Sequence, residues 1–345
     1  MWKNFLIKRI VRAFQPFQKE GNPNHFLIIS TTGLGDTLWG TPAIRALRET
    51  YPTAYIGCLT SPLGADVLKN NPHINEFFVV KNFFSLLTLF SHLKKKRIGT
   101  ALFFHTSQRA PLPFCAALGI GRRIGTEGLQ KGMDDLLTDR IVWQSGHEIE
   151  RRLAIVKAAG AKPSSSHLDF FIQEEDRIAA QHLVPETFVI GLHPGAKDRF
   201  KQWPVDHFIR VGQRLQKEVG CTVVVTGSPA EKKLIDSICE QIEGSRPVIK
   251  PLHQMAAILE RLSLFVTNDT GPLHLALAMN TKVLPLFTPT NPIICGPYQT
   301  HTHVLQAGPT CFPCLKKKCQ DAFCMRQIGP EDVFSAALQQ LGQKT

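Results

Sequence analysis

The residues best suited to chemistry in the second half of the sequence follow a short apolar run. Leu264–Asp269 is typical of a buried strand that ends in polar residues, and a helix is predicted directly after it. Asp269 and Thr270 can cap that helix, while Gly271 allows a close approach of the backbone. The N–H groups of the first turn favour a phosphate or diphosphate, and His274, about one turn further on, can add a hydrogen bond.

A basic loop in the same half follows another predicted strand, at 188–192. Lys197, Arg199 and Lys201 lie in this loop, and a lysine there can neutralise the charge of a departing diphosphate. Either feature alone fits an ordinary capped helix or a solvated loop. Because both follow strands of one predicted domain, together they favour an anion-binding site at the carboxyl edge of a parallel sheet.

The first half has a polar turn of its own, in which the apolar run at 25–30 leads into Gly33-Leu-Gly-Asp36. Leu38 stands where a dinucleotide fingerprint needs a third small residue, and Thr41 stands where a P-loop needs its lysine. Neither a dehydrogenase nor an NTPase is therefore indicated. Asp36 remains a general base or a helix cap, and the residues alone favour the cap.

Short apolar strands alternate with helical segments throughout the chain, which predicts βαβ units and parallel sheets twice over. The fold class is therefore α/β, with two Rossmann-like domains facing each other across a cleft. We place the boundary in the polar region 172–186, giving domains 1–178 and 179–345. The predicted strands are 25–30, 55–59, 77–80, 101–104, 188–192, 222–225, 264–266 and 283–287.

A helix predicted over 83–97 connects two strands of the first domain. Its apolar residues cover one side, which predicts packing against the sheet, and it ends in the basic run Lys94–Arg97. Cations at a helix carboxyl end interact favourably with the helix dipole, and the same cluster could also meet anionic lipid.

The charge of the chain indicates anionic partners. Its 345 residues carry 40 Lys/Arg against 28 Asp/Glu, a formal charge of +12. Residues 1–170 hold 22 of these cations and 12 of the anions, whereas 171–345 hold 18 and 16. Nucleic acid is not the expected partner, because the phenylalanines fall within predicted strands and helices rather than on stacking platforms between basic residues.

Residues 1–20 form a basic amphipathic pattern that fits a helix lying in a membrane interface, or equally a tail or a helix packed on its own domain. The charges in this segment interrupt any signal-peptide apolar region, and no apolar run in the sequence reaches the length of a membrane span. A cytoplasmic location is expected.

Nine cysteines without an export signal indicate a reduced protein. Five are scattered among apolar neighbours as core residues. The other four could ligate zinc, although the spacing of the second pair is unusually long, and the sequence leaves this open; they are Cys311, Cys314, Cys319 and Cys324.

Several of these motifs together resemble the heptosyltransferase family, glycosyltransferase family 9, over about residues 25–340. The first-half motif is Gly35-Asp-Thr-Leu-Trp-Gly-Thr-Pro-Ala-Ile-Arg-Ala-Leu47. The second half contributes His193-Pro-Gly195 with Lys201-x-Trp203-Pro204, then Thr226-Gly-Ser-Pro-Ala-Glu231 and Asn268-Asp-Thr-Gly-Pro-Leu-His274. The four-cysteine stretch also resembles the tail of many members.

The resemblance implies a GT-B fold and an inverting transfer of heptose from ADP-heptose to the anionic, lipid-linked Kdo–lipid A core of lipopolysaccharide. It places the donor mainly in the second domain, the acceptor mainly in the first, and the enzyme peripherally at the inner face of the cytoplasmic membrane. Asp36 then falls on the catalytic base and Lys201 on a catalytic, diphosphate-binding position. The other implied donor-binding positions are Gly35, Gly195, Glu231, Asp269, Thr270, Gly271 and His274. No metal and no cofactor are implied.

The sequence departs from the family pattern at Arg97-Ile-Gly-Thr100, and His105–Arg109 fits it loosely. Both departures lie in the acceptor domain and concern the acceptor more than the chemistry. Two alternatives remain: a GT-B enzyme with another donor, acceptor or reaction, such as a nucleotide-sugar epimerase, and a non-catalytic basic binding protein.

Overall fold

The structure is a computed structural model that describes residues 21–105, 109–185, 187–300, 302–308, 310–311, 314, 319 and 323–342. The basic amphipathic segment predicted at 1–20 lies outside these residues. Within them, no helix is long and apolar enough to cross a membrane.

The chain divides into two compact units between Phe171 and Ile172. The boundary predicted after residue 178 falls inside a helix, Glu174–Leu183, that belongs to the second unit. Arg177 of this helix donates to Glu260 of the second unit, with 2.9 Å between Nε and Oε2. The join therefore precedes this helix rather than following its first turn.

The first unit contains a six-stranded sheet in which every pairing is parallel, in the order β3-β2-β1-β4-β5-β6. Its strands are β1 Asn22–Ser30, β2 Tyr55–Thr60, β3 Glu76–Val79, β4 Ile98–His105, β5 Arg122–Thr126 and β6 Asp139–Ile141. Its helices are α1 Leu34–Leu38, α2 Thr41–Thr50, α3 Pro62–Leu68, α4 Phe83–Thr88, α5 Phe90–Lys95, α6 Pro111–Ala117 and α7 Glu148–Ala158.

The second unit repeats this architecture with the parallel order β12-β11-β10-β7-β8-β9. Its strands are β7 Val189–His193, β8 Thr222–Thr226, β9 Arg246–Val248, β10 Leu264–Asn268, β11 Val283–Phe287 and β12 Leu305–Gln306. Its helices are α8 Glu174–Leu183, α9 Val205–Arg214, α10 Lys232–Cys239, α11 Leu252–Glu260, α12 Gly271–Ala278, α13 Pro292–Cys295 and α14 Pro330–Leu341.

Both sheets have the strand order of the Rossmann fold, 3-2-1-4-5-6 counted within each unit. The central strands are continuous apolar runs because they are covered on both faces, and Leu27, Ile28 and Ile29 of β1 are completely buried. The strand order reverses between β1 and β4 in the first unit and between β7 and β10 in the second. Ligands of open α/β sheets bind at such reversals, outside the carboxyl ends of the strands.

The helix predicted over 83–97 is present as α4 and α5, which are separated at Leu89. Its predicted packing is partly wrong. Leu86 and Leu93 are buried in the core, but Phe83 and Phe84 of α4 are exposed to solvent, as is Leu87. Only a narrow stripe of this apolar side faces the sheet.

Candidate functional site

In the second unit, the side chain of Asn268 organises the reversal between β7 and β10. Asn268 is completely buried at the end of β10. Its amide nitrogen donates to the carbonyl oxygen of Pro194 at 2.9 Å, and its amide oxygen accepts from the backbone N–H of Trp203 at 3.0 Å. One side chain thus fixes both ends of the predicted basic loop. Its importance was not predicted, although it stands within the Asn268–His274 motif.

Lys201 and Asp269 form an ion pair beside this anchor. The Nζ atom of Lys201 lies 2.6 Å from Oδ2 of the buried Asp269, and the lysine remains partly exposed. The hydroxyl of Thr290 donates to the same carboxylate oxygen at 2.5 Å. Asp269 therefore holds the lysine in place, and Thr290 is a further member of the cluster that no sequence signal indicated.

Helix α12 begins directly after this carboxylate. Thr270 is the N-cap residue in an extended conformation, but its side chain makes no capping hydrogen bond. Thr270 thus occupies the predicted N-cap position, but the predicted side-chain capping is wrong, and the carboxylate of Asp269 is engaged by Lys201 and Thr290 instead. Gly271 opens the helix, and His274 is buried one turn later.

Glu231 lies against the turn that follows β7. Its Oε2 atom accepts from the backbone N–H and the hydroxyl of Ser228, at 2.8 and 2.7 Å. A Cβ atom at Gly195 would stand 2.0 Å from Oε1 of Glu231, so this approach needs glycine. The structure thus brings the predicted residues Gly195 and Glu231 together.

His193 is the last residue of β7 and directly precedes the same turn. Its Nδ1 atom is 3.0 Å from Oγ1 of Thr226, and the ring is buried. Burial lowers the pKa of His193 to about 4, although the nearby carboxylate of Glu231 opposes this shift. The imidazole is therefore neutral near pH 7 and adds no cation to the site.

In the first unit, Asp36 lies on α1, at the carboxyl end of β1 and so at the reversal between β1 and β4. Its side chain is partly exposed, and Oδ1 is 3.5 Å from Nη2 of the buried Arg152. Gly35 precedes it on the same helix, whereas the other predicted donor-binding residues belong to the second unit.

Arg152 is held by Glu148, one turn earlier on α7. Its Nη1 atom donates to Oε2 of Glu148 at 2.5 Å, and its guanidinium lies 5.5 Å from the centre of the Trp39 ring. Arg151 donates to the same carboxylate. Burial alone would raise the pKa of Glu148, but the two arginines outweigh it and the net pKa is lowered.

The start of α7 fixes this arrangement. The backbone N–H of Ile149 donates to Nδ1 of His147 at 3.2 Å, and Oε2 of Glu150 accepts from the backbone N–H of His147 at 3.2 Å. This reciprocal cap places Glu148 and Arg152 one turn apart on the same helix face. Glu148 and Arg152 were not predicted as site residues; the run Glu148-Ile-Glu-Arg-Arg152 was the available signal.

His105 ends β4, on the other side of the same reversal. Burial lowers its pKa; Asp36 opposes that shift, and Arg152 adds to it. His105 is thus a neutral hydrogen-bonding group near pH 7. Residues 106–108, part of the loosely matching segment, lie outside the described residues.

Within the described ranges, no group of three or more His, Cys, Asp or Glu side chains could hold a metal ion. The four clustered cysteines Cys311, Cys314, Cys319 and Cys324 are not joined by disulfides, and several residues between them are not described.

Two Rossmann-like domains, each with polar side chains at its strand-order reversal, are the architecture of the GT-B fold. Solved structures agree with this fold. The chain superposes on a glycosyltransferase of family 9 from Veillonella parvula with a TM-score of 0.83 and 23% identity, covering 94% of this chain and 99% of that one. It superposes on the ADP-heptose lipopolysaccharide heptosyltransferase II of Escherichia coli with a TM-score of 0.76 and 23% identity, covering 92% and 98%.

The sequence profile of glycosyltransferase family 9 (heptosyltransferase) matches residues 104–323, and the chain belongs to this family. Among characterised proteins, it is 23% identical over 319 residues to the lipooligosaccharide heptosyltransferase 2 of Campylobacter jejuni, which covers 89% of this chain and 95% of that protein. The resemblance stated from the sequence is confirmed, as are the GT-B fold and the assignment as a glycosyltransferase. The epimerase and the non-catalytic binding protein are thereby set aside.

Proposed function

We propose that this chain transfers heptose from ADP-heptose to a hydroxyl of the lipid-linked inner core of lipopolysaccharide, with inversion at the anomeric carbon. The observation that carries the proposal is the cationic Lys201, held 2.6 Å from Asp269 beside the start of α12. The names of the similar proteins agree with it, since the E. coli relative is an ADP-heptose lipopolysaccharide heptosyltransferase.

The second unit binds the donor. An ammonium group has three N–H donors; Asp269 uses one of those of Lys201, and the others are available to diphosphate oxygens. As the bond from the sugar to ADP breaks, negative charge grows on the diphosphate. Lys201 and the amino end of α12 stabilise that charge more in the transition state than in the ground state, which is the condition for acceleration.

Glu231 and Gly195 form the neighbouring part of the donor site. The carboxylate held by Ser228 against Gly195 accepts hydrogen bonds from the hydroxyls of the nucleoside. Thr270, Gly271 and His274 complete the diphosphate side of this site.

The first unit supplies the base. Asp36 removes the proton of the acceptor hydroxyl while its oxygen attacks the anomeric carbon from the face opposite ADP, so the configuration inverts. Arg152 orients the carboxylate of Asp36, since its own position is fixed by Glu148. The proton ends on Asp36, and the electron pair of the broken bond leaves with ADP.

The acceptor is an anionic lipid-linked saccharide at the inner face of the cytoplasmic membrane, where the protein acts peripherally. The unequal charge supports this, because residues 1–170, the half that holds Asp36, contain 22 Lys/Arg but only 12 Asp/Glu. Phosphate and carboxylate groups of such an acceptor suit a basic surface.

The test is a comparison of ADP-heptose with ADP-glucose, UDP- and GDP-sugars, first by calorimetric binding and then by transfer to lipopolysaccharide cores truncated before or after the first heptose. We expect ADP-heptose to bind most tightly and to yield a heptosylated core. Tighter binding of a UDP- or GDP-sugar, or consumption of ADP-heptose without a covalent product on either core, would refute the proposal.

A further inference from the structure

Helix α4 of the first unit exposes a continuous apolar surface. Phe83 is 57% exposed, Phe84 76% and Leu87 49%, while Leu86 between them is buried in the core. Isolated exposed apolar residues are ordinary on protein surfaces, but two adjacent phenylalanines with a leucine one turn away form a patch, and such patches mark interaction sites.

This patch is presented by a firmly anchored helix. The backbone N–H of Ser85 donates to Oδ1 of Asn82 at 3.0 Å, and the backbone N–H of Asn82 donates to the hydroxyl of Ser85 at 3.0 Å. This reciprocal cap begins α4 at Phe83, and Leu86 and Leu93 fix α4 and α5 to the core. The exposed rings are therefore a stable feature of this surface.

The charged residues that flank the patch along the chain have one sign. Lys81 precedes α4, and Lys94 and Lys95 end α5, all three exposed. No Asp or Glu occurs in the sequence between Glu76 and Glu127. The carboxylate of Glu76 is already paired with Lys96 at 2.5 Å, so it does not neutralise the three exposed lysines.

The patch lies at the edge of the sheet that carries Asp36. Helix α4 starts a few residues after the carboxyl end of β3, and Asp36 follows the carboxyl end of β1. Because these strands belong to one parallel sheet, Asp36 and the phenylalanines at the start of α4 are at its carboxyl edge, whereas Lys94 and Lys95 lie towards its amino edge, where β4 begins. A surface that binds lipid here is suited to an enzyme whose acceptor is anchored in lipid.

We infer that the α4 surface, formed by Phe83, Phe84, Leu87, Lys81, Lys94 and Lys95, docks on an anionic phospholipid bilayer. The two phenylalanines enter the interface between headgroups and acyl chains, and the lysines contact lipid phosphates. Residues 1–20 of this chain are disfavoured as the partner of this surface, because they carry five Lys/Arg and one Glu and would be repelled by its lysines. A second copy of this basic surface is disfavoured for the same reason.

This inference deepens the proposed function by locating its membrane contact, and its test does not use activity. The full chain is sedimented with vesicles of phosphatidylethanolamine and phosphatidylglycerol, and with vesicles of phosphatidylcholine alone. We expect the double variant F83S/F84S to lower the partition coefficient on the anionic vesicles by about tenfold or more. Phe323→Ser is the matched control, since Phe323 is 56% exposed in the second unit, and it should bind as the wild type does.

The lysines are tested separately. We expect K94Q/K95Q to lower binding to the anionic vesicles by about tenfold and to weaken its salt dependence. K232Q/K233Q removes an adjacent pair of exposed lysines from the second unit and should change binding little. Unchanged binding of either α4-surface variant, or equal binding of the wild type to phosphatidylcholine vesicles, would overturn the docking proposal.

Two further outcomes separate this proposal from others. F83S/F84S should transfer heptose to a water-soluble, delipidated core at the wild-type rate; a loss there would contradict a role confined to lipid. If vesicle binding is unchanged but light scattering shows that F83S/F84S alters self-association, the surface is a protein contact and membrane docking is refuted. A failure of vesicle docking alone would refute the docking proposal but not the proposed transfer of heptose. A failure of ADP-heptose binding would refute the proposed function, and the vesicle measurements would still test docking.

Discussion

At the scale of single residues, the proposed donor side is built from buried polar groups that satisfy one another. Asn268 anchors the loop after β7, and Asp269 receives hydrogen bonds from Lys201 and Thr290. Burying a carboxylate costs free energy unless it is paired, so the ion pair explains why an acidic residue can lie beside an expected diphosphate. Asp269 thus positions Lys201 rather than repelling the ligand.

Replacing Lys201 by Gln removes the cation expected at the leaving diphosphate. We expect kcat/KM for transfer to fall by about 10²–10³, the usual loss when one transition-state donor is removed. Lys197→Gln removes the same charge from an exposed position in the same loop and should change kcat/KM less than about twofold. Equal losses in the two variants would contradict a specific role for Lys201. Steady-state kinetics with ADP-heptose provides the measurement.

Replacing Gly195 by Ala should move Glu231. The added Cβ would meet Oε1 of Glu231 at 2.0 Å, and a carboxylate at the end of a flexible side chain can shift at little cost in stability. We expect the affinity for ADP to fall about tenfold, while the free energy of unfolding changes by less than about 1 kcal/mol. Gly308→Ala is the control, because among the described residues no atom lies within 4 Å of its added Cβ. Calorimetry that finds wild-type ADP affinity in Gly195→Ala would remove Glu231 from the donor site.

His193 makes stability depend on pH. Its folded pKa is about 4, below the ordinary value of 6.5. Between these two pH values the imidazole is therefore protonated in the unfolded chain and neutral in the folded chain. The free energy of unfolding is therefore unaffected by His193 above pH 6.5, and it decreases by up to about 3 kcal/mol as the pH falls towards 4. Urea unfolding across this interval should show a smaller pH dependence for His193→Asn than for the wild type. The same slope in both proteins would show that another group titrates.

At the scale of elements, the central strands were predictable because they are buried on both faces. The predicted strand at 283–287 matches β11, and 222–225 falls one residue short of β8. Strand β5 and the edge strands β6, β9 and β12 were not predicted. They are short and carry polar residues or proline, as in Arg122–Thr126 and Arg246–Val248, so their sequences lack a continuous apolar run.

The candidate site was predictable where its residues follow recognisable strands. Asp269 and Gly271 directly follow one predicted strand, and Lys201 lies in the loop after another strand of the same predicted domain. Arg152 is more than a hundred residues from Asp36, and Thr290 is twenty-one from Asp269, so both required the tertiary structure. The burial of the apolar residues of α4 was overestimated, because periodicity shows which residues share one side of a helix but not how much of that side the sheet covers.

Glu148 of α7 stabilises the fold and also holds Arg152 beside Asp36, the proposed base. Replacing Glu148 by Gln leaves the buried guanidinium of Arg152 without its carboxylate, and we expect the free energy of unfolding to fall by about 3 kcal/mol. The folded pKa of Glu148 lies below its ordinary 4.5, so its contribution is present above that pH and is lost as the pH falls through the folded pKa. Urea unfolding at neutral and acidic pH measures both effects.

The matched control is Glu127→Gln, which removes an exposed carboxylate that lies 3.7 Å from Arg140 in the same unit. Exposed pairs of this kind contribute little, so its free energy of unfolding should change by less than about 1 kcal/mol. Equal effects of the two substitutions would contradict the account of α7.

At the scale of the whole molecule, two units of the same topology carry different chemistry. The second unit has the cation and the helix terminus suited to a diphosphate, and the first has a partly exposed carboxylate beside a buried arginine. The charge follows this division, because the surplus of Lys and Arg belongs almost entirely to the first 170 residues. Donor binding and acceptor activation should therefore be separable by substitutions in different units.

The central claim is that Asp36 is the base and that the donor site is independent of it. The most direct test is Asp36→Asn, which keeps the shape of the side chain and removes its basicity, measured as kcat for heptose transfer and as the calorimetric Kd for ADP. Asp66→Asn, at an exposed acid on α3 of the same unit, is the control. We expect kcat of Asp36→Asn to fall by about 10³ or more, with Kd within about twofold of the wild type. Preserved turnover accompanied by a loss of ADP affinity would contradict the account.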